Sequence, residues 1–144
     1  MSVKAIPEGY HTITPYLIVS DADHLITFLK SAFDAEVGYK SKDKEGITRH
    51  AEVQIGDSKV MMGKARSDEE ITPAMLYLYT ENTDRLYTQA IKSGAVSIME
   101  PADQFYGDRN AGVKDPEGNI WWIATHVEDV SEQEIERRMN ELQK

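Results

Sequence analysis

The 144-residue chain contains no cysteine. Disulfides, thiolate metal sites and cysteine nucleophiles are therefore excluded. Basic residues are few: 16 Lys and Arg stand against 25 Asp and Glu, a formal net charge of −9. Nucleic acid requires a basic face opposite its phosphates, so it is not an expected partner. No apolar run approaches a membrane span, and no basic-then-apolar leader is visible at the start. A soluble cytoplasmic protein without membrane contact is the expectation. The sequence has no phosphate loop, no dinucleotide glycine pattern and no Ser-His-Asp order. Tryptophan occurs only twice, and the two are adjacent.

Those two tryptophans follow a turn. Phe105 to Lys114 reads as one arm of a β-hairpin, Asp115-Pro116-Glu117-Gly118-Asn119 as its turn, and Ile120 to Thr125 as the returning strand. Proline presets φ in the turn, and Gly118 tolerates a positive φ. Side chains alternate along a strand, so Trp121 and Trp122 must point to opposite faces. With Ile123, Trp121 is expected under a helix, and Trp122 on the other side.

Apolar residues make up 40% of the chain, enough for one domain or two small halves sharing a core. Residues 1–11 form a short polar arm. Thr12 to Val19 is β-rich, and Pro15, which lacks an N–H, marks an edge strand or one with a free donor side there. Asp21 or Asp23 can cap a helix over Ala22 to Phe33, with Leu25, Phe28, Leu29 and Ala32 on one face. Three short β runs follow: Glu36 to Lys42, Ile47 to Ile55 and Lys59 to Gly63. In the second, Ile47, Ala51, Val53 and Ile55 alternate with Thr48, His50, Glu52 and Gln54. Lys64 to Pro73 is polar and reads as a linker. The pattern then restarts: a strand over Ala74 to Thr80, a helix carrying Leu86, Tyr87, Ala90 and Ile91, a stop at Ser93-Gly94, then three more strands. Strand–helix–strand–strand–strand thus occurs twice, with a period of roughly 60 residues, longer than solenoid repeats. The expected fold class is α+β, two βαβββ modules over about residues 12–63 and 74–126 of a domain spanning 12–130. Ser131-Glu132-Gln133-Glu134 is a capping box for a charged helix in 131–144. Its narrow stripe of Ile135, Met139 and Leu142 docks on its own chain or on a partner.

Several stretches are shared in this order with a known group: Arg49-His50-Ala51-Glu52, Gly56-Asp57-Ser58-Lys59-Val60-Met61-Met62, Tyr106-Gly107-Asp108-Arg109, and Asp115-Pro116-Glu117-Gly118-Asn119 through Trp122 to His126. With the duplicated modules they resemble the vicinal oxygen chelate superfamily of glyoxalases, bleomycin-resistance proteins and dioxygenases. They resemble its PhnB-like, glyoxalase-related branch in particular. The resemblance implies half-barrel sheets with helices on the convex side, a cavity on the concave side, and homodimers that complete or wall it. It also implies a divalent metal held by His, Glu or Gln of the first and last strands of each module. Matched by motif, those positions here are Thr14, Ala74, Val60 or Met61, and Trp122, none a strong ligand. No metal or other cofactor is therefore expected; the alternative is one divalent metal with unorthodox ligands, His50, Glu52 or His11, in a lyase, isomerase or dioxygenase.

The expected partner is a small organic molecule. Tyr16 and Trp122 fall on the cavity face, where aromatic walls suit an apolar or planar ligand, or else they pack the space a metal would fill. His50 and Glu52 share one strand face and are the candidates for acid–base chemistry; the competing reading is a polar outer face of a half-exposed strand. The fork of Arg109 suits a carboxylate or phosphate, and equally an ion pair with Asp108, Asp115 or Glu52. Tyr106 belongs at the cavity mouth or in a cross-strand pair. His24 and His126 read as capping or solvent-facing side chains.

Overall fold

A computed structural model describes residues 2–144. In the first module, β1 (Tyr16–Val19) is followed by α1 (Ala22–Phe33), β2 (Glu36–Lys42), β3 (Thr48–Ile55) and β4 (Ser58–Lys64). The second repeats the series as β5 (Met75–Tyr79), α2 (Thr83–Lys92), β6 (Val96–Asp103), β7 (Asp108–Lys114) and β8 (Ile120–His126), and α3 (Glu132–Leu142) ends the chain. The sheets run β1-β4-β3-β2 and β5-β8-β7-β6, with β1–β4 and β5–β8 parallel and the other pairs antiparallel. This is the expected α+β pair of βαβββ modules.

Local chemistry explains the elements. Pro15 precedes edge strand β1, where its missing N–H interrupts no ladder, and its carbonyl accepts the Met61 N–H at 2.9 Å. Asp21, of the two aspartates considered, caps α1 by accepting the His24 N–H at 3.1 Å. Asp23 instead accepts from the Thr48 hydroxyl at 2.9 Å and pairs with Lys40. Thr48 is thereby buried on the helix side, out of step with His50, because the β2–β3 ladder shifts register near Ser41 and Lys42. The expectation that Thr48 shares a face with His50 is corrected by that bulge.

The core lies between helices and sheets. Leu25, Phe28, Leu29 and Ala32 of α1 cover Leu17, Val19, Ala51, Val53, Val60 and Met62, all buried. In the second module Leu86 and Ala90 join Val113, Trp121 and Ile123 in the same core. The Phe33 and Trp121 rings join the modules, with centroids 5.1 Å apart. No strand of one sheet belongs to the other. Helices α1 and α2 pack on one alternating set of side chains in each sheet, and the opposite set, with Tyr16, His50 and Glu52 in one and Tyr77 and Trp122 in the other, forms a face these two helices do not cover.

The hairpin turn is the main polar joint. The Asp115 carboxylate accepts the backbone N–H groups of Glu117 and Asn119 and the Trp121 indole N–H at 2.8–3.0 Å. Asn119 is fully buried, and its Oδ1 accepts the Ala74 N–H, tying the turn to β5. Glu117 reaches the first module: Oε1 accepts from the Ser20 N–H, the Ser20 hydroxyl and the Asp21 N–H, and Oε2 meets His24 Nδ1 at 3.0 Å. A carboxylate at the N-terminus of α1 also suits the helix dipole. Burial alone would raise the Glu117 pKa, but these hydrogen bonds outweigh it and hold the carboxyl below its ordinary value. A depressed folded-state pKa adds stability above the unfolded value, and that stability is lost as pH falls through the folded one. Glu117→Gln is expected to cost roughly 1.5–3 kcal/mol near neutrality. The gap from wild type should close as pH drops below the ordinary glutamate range, and chemical denaturation across pH 3–7 (about these limits) measures it.

Helix α3 is held by its polar side. Ser131 caps it through the Glu134 N–H. Arg138 forks onto Glu128 and donates to the Phe105 carbonyl. Arg137 first, then Arg138, pull the Glu134 carboxyl down to about 2. Met139 and Leu142 of the apolar stripe stay exposed.

Candidate functional site

Strand registers superpose the two helix-free faces. Tyr16 pairs with Met61 as Tyr77 pairs with Trp122, Glu52 with Met61 as Gly112 with Trp122, and His50 with Gly63 as Asn110 with Ala124. Tyr16 thus corresponds to Tyr77, Met61 to Trp122, and His50 to Asn110.

On the first module's face, the Tyr16 hydroxyl meets His50 Nδ1 at 3.0 Å, and His50 Nε2 meets Glu52 Oε2 at 3.0 Å. The three residues form one chain of hydrogen bonds. Gly63 lies beneath it: a Cβ there would come within 2.7 Å of the Tyr16 hydroxyl.

On the second module's face, Tyr77 and Tyr79 donate to Asp108 Oδ2 at 2.7 and 2.9 Å, and His126 Nδ1 meets Asp108 Oδ1 at 2.9 Å. Asp108 is buried, which by itself would raise its pKa; the hydrogen bonds from His126, Tyr77 and Tyr79 overcome this and lower it. His126 is raised by its bonds to Asp108 and Asp129. The Tyr77 phenol is pushed up by burial first and by Asp108, against the donation it receives from Asn110. Asn110 Nδ2 also donates to the Tyr106 hydroxyl at 2.6 Å, while its buried Oδ1 has no partner among the described residues. Trp122 lies against Gly112, where a Cβ would come within 2.6 Å of its Cζ3. Only glycine lets the indole lie this close to the sheet. Met75, Tyr77 and Tyr79 on the neighbouring β5 are exposed, as is Val96 on the far strand β6.

Four of the residues singled out from sequence therefore sit on helix-free faces: Tyr16, His50 and Glu52 on one and Trp122 on the other. Tyr106 joins the second through Asn110. Arg109 does not join them. Its guanidinium grips Asp84 at 2.8 and 2.9 Å and Asp103 at 3.2 Å, none of the three carboxylates considered. Arg109 is odd-numbered beside Asp108 and Asn110, so strand alternation turns it toward α2, which carries Asp84. His11 Nε2 lies 3.3 Å from the Asp57 carbonyl, apart from His50. His24 and His126 hold Glu117 and Asp108. The Tyr77–Tyr79–Asp108 cluster was not singled out from sequence. Its signal was the Tyr-x-Tyr spacing, which puts both phenols on one strand face.

The register also resolves the metal-type positions. Val60 is buried toward α1, so Met61 holds the inward slot. Ala74 packs on the core, so Met75 is the counterpart of Thr14. A hydroxyl, two thioethers and an indole do not suit a borderline or hard cation. Among the described residues no three His, Asp or Glu side chains are grouped to hold a metal.

A groove of about 690 Å³ lies elsewhere, on the helix side of β5, lined by Phe33, Ile55, Val60, Leu76, Leu78 and Trp121 among others. It reaches Tyr77 and Tyr79 at the edge of β5 but contains neither His50 nor Trp122. The linked titratable groups lie on the helix-free faces, and these are the stronger candidate site.

Two sheets of βαβββ order, each with a helix on one face, define a duplicated-module α+β protein. Residues 9–123 match the model of the Glyoxalase/Bleomycin resistance protein/Dioxygenase superfamily, and the chain belongs to that superfamily. An uncharacterised protein of Mycobacterium bovis is 30% identical over 139 residues, covering 89% of this chain and 91% of that one. An uncharacterised protein of Mycobacterium tuberculosis is likewise 30% identical, over 89% of this chain and 82% of its own. The crystal structure of TioX from Micromonospora sp. ML1 shares the fold at a TM-score of 0.70 with 20% identity, over 81% of this chain and 99% of that one. A glyoxalase/bleomycin resistance protein/dioxygenase family enzyme from Burkholderia phytofirmans has a TM-score of 0.67 with 18% identity, over 79% of this chain and 97% of its own. Among the described residues no helix is long and apolar enough to cross a membrane.

Proposed function

We propose that the protein binds a small, planar organic molecule, without the metal usual in its superfamily, between helix-free faces brought together in a homodimer. Trp122 carries this reading. Its ring is laid against Gly112 and flanked by Tyr77, with Met75 and Tyr79 exposed on the neighbouring strand. A flat apolar ligand can stack there.

The second copy is the occupant that completes the cavity. Within one chain the modules meet through Phe33, Trp121 and Glu117. Tyr16 and Tyr39 of one sheet and Met75, Tyr77, Tyr79 and Val96 of the other are left exposed. Two-fold pairing of the first module's face with the second module's face of another copy would make both sets the walls of one cavity, still open to small molecules. The motifs from Arg49 to His126 support a place in the PhnB-like, glyoxalase-related branch. The lack of cysteine and the acidic balance support a cytoplasmic protein that leaves nucleic acid alone.

A thermal-shift screen of a metabolite library tests the binding. A ligand at a hundred times its dissociation constant adds about 2.7 kcal/mol. Wild type should respond to planar compounds and Trp122→Ala should not. A library without effect on wild type, or equal responses from both proteins, would overturn the reading.

A further inference from the structure

We propose that Glu52, His50 and Tyr16 form a metal-free proton relay, with the Tyr16 hydroxyl as the acid–base group presented to an organic ligand that carries an acidic proton. This goes beyond ligand binding, and it rests on the helix-free face of the first module being the ligand's face.

The hydrogen bonds set the direction of the relay. A carboxylate only accepts, so in the neutral-imidazole form the relay requires, the 3.0 Å contact to Glu52 selects the tautomer with its proton on His50 Nε2. Nδ1 is then bare and accepts from the Tyr16 hydroxyl, also at 3.0 Å. The Glu52 and His50 side chains are 21% and 27% exposed, while Tyr16 is 48% exposed. The base and its orienting carboxylate are sheltered, and the phenol faces outward. A third group orienting a base that contacts a hydroxyl is the arrangement that activates a hydroxyl. Gly63 leaves the room in which the Tyr16 hydroxyl sits.

The second module supplies an internal comparison. Tyr77 holds the place of Tyr16, but Asn110 holds that of His50 and Gly112 that of Glu52. The Tyr77 proton goes to Asp108, and Asn110 donates to Tyr77 rather than accepting from it. The duplicated scaffold therefore keeps a hydrogen-bonded tyrosine twice and sets an imidazole directly against its hydroxyl only once.

In the proposed transfer the Tyr16 oxygen takes the ligand's proton as its own passes to His50 Nδ1. The ligand is left as an anion and the imidazole as a cation beside Glu52. The reverse flow reprotonates the ligand, so no oxidant, reductant or co-reactant is needed. Tyr16 would contact the ligand; His50 and Glu52 act through it.

Labelling with benzenesulfonyl fluoride, followed by peptide mass spectrometry, tests the relay without knowledge of the ligand. The phenol oxygen bonds to sulfur, the S–F bond breaks, fluoride leaves, and the phenol proton goes to His50. Tyr39 is 63% exposed, with its ring 6.3 Å from that of His50, and is the internal control. Tyr16 should react faster than Tyr39 by roughly a hundredfold, the lower end of what a positioned base contributes. His50→Gln and Glu52→Gln should remove that advantage. Nitrogen-15 NMR of the wild type should find the His50 proton on Nε2, and this measurement stands even where a variant does not fold. Tyr16 reacting no faster than Tyr39, an advantage that survives both substitutions, or a proton on Nδ1 would overturn the relay. Ligand-induced thermal shifts that persist alongside any of these would leave the binding reading standing.

Discussion

Trp121→Ala is expected to cost the fold about 3–5 kcal/mol, whereas Trp122→Ala costs about 1–2 kcal/mol at most. The residues are neighbours of one type, so the contrast comes from the strand's two faces. Trp121 is 2% exposed, packs at a tilt against Phe33 where the modules join, and donates its indole N–H to Asp115. Truncation there empties the shared core and leaves a buried acceptor short of one donor. Trp122 is half-buried over Gly112 on the helix-free face. Its loss uncovers a glycine and opens no core cavity. Urea denaturation of both variants measures the difference. Equal losses would mean that the helix-free face is as tightly packed as the core, and the proposed ligand surface would disappear with the contrast.

Asp115→Ala is expected to cost about 3 kcal/mol or more, since each buried donor left without a partner costs about 1–3 kcal/mol. Asp115 is 4% exposed and serves the Glu117 and Asn119 backbone, the Asn119 amide and the Trp121 indole. Unpinning the turn also releases Glu117 from α1 and Asn119 from β5. Trp121→Phe removes only the indole donor from this set. The Asp115→Ala and Trp121→Phe losses should therefore fall short of additivity when combined, as expected of residues in one network. A loss under about 1 kcal/mol for Asp115→Ala would show that Pro116 and Gly118 hold the turn by backbone preference alone.

The fold was largely legible because its signals are local. The helix over Ala22 to Phe33, the capped helix after Ser131 and the opposed faces of Trp121 and Trp122 follow from spacing within a few residues. The site was legible in part, since alternation along β3 put His50 and Glu52 on one face. What joins the site was not legible. Tyr16 reaches His50 across 34 residues because β4 lies between their strands. Glu117 binds the capping residue of a helix, Asp21, 96 residues earlier in the chain. Arg109 was open to several acids, and strand parity with the position of α2 chose Asp84 and Asp103. The Thr48 reversal arises from a bulge that no alternation pattern displays. The Asp-Pro-Glu-Gly-Asn motif marks the family by resemblance, and in the structure it serves as the joint between modules.

Native mass spectrometry of the purified protein, after incubation with manganese, nickel, zinc and iron and then desalting, tests the central claim most directly. The proposed pairing of helix-free faces, with Thr14, Met61, Met75 and Trp122 at the metal-type positions, predicts an ion at twice the 16.3 kDa of the chain, with no metal retained. A monomer, or a species keeping one metal per chain, would contradict the account.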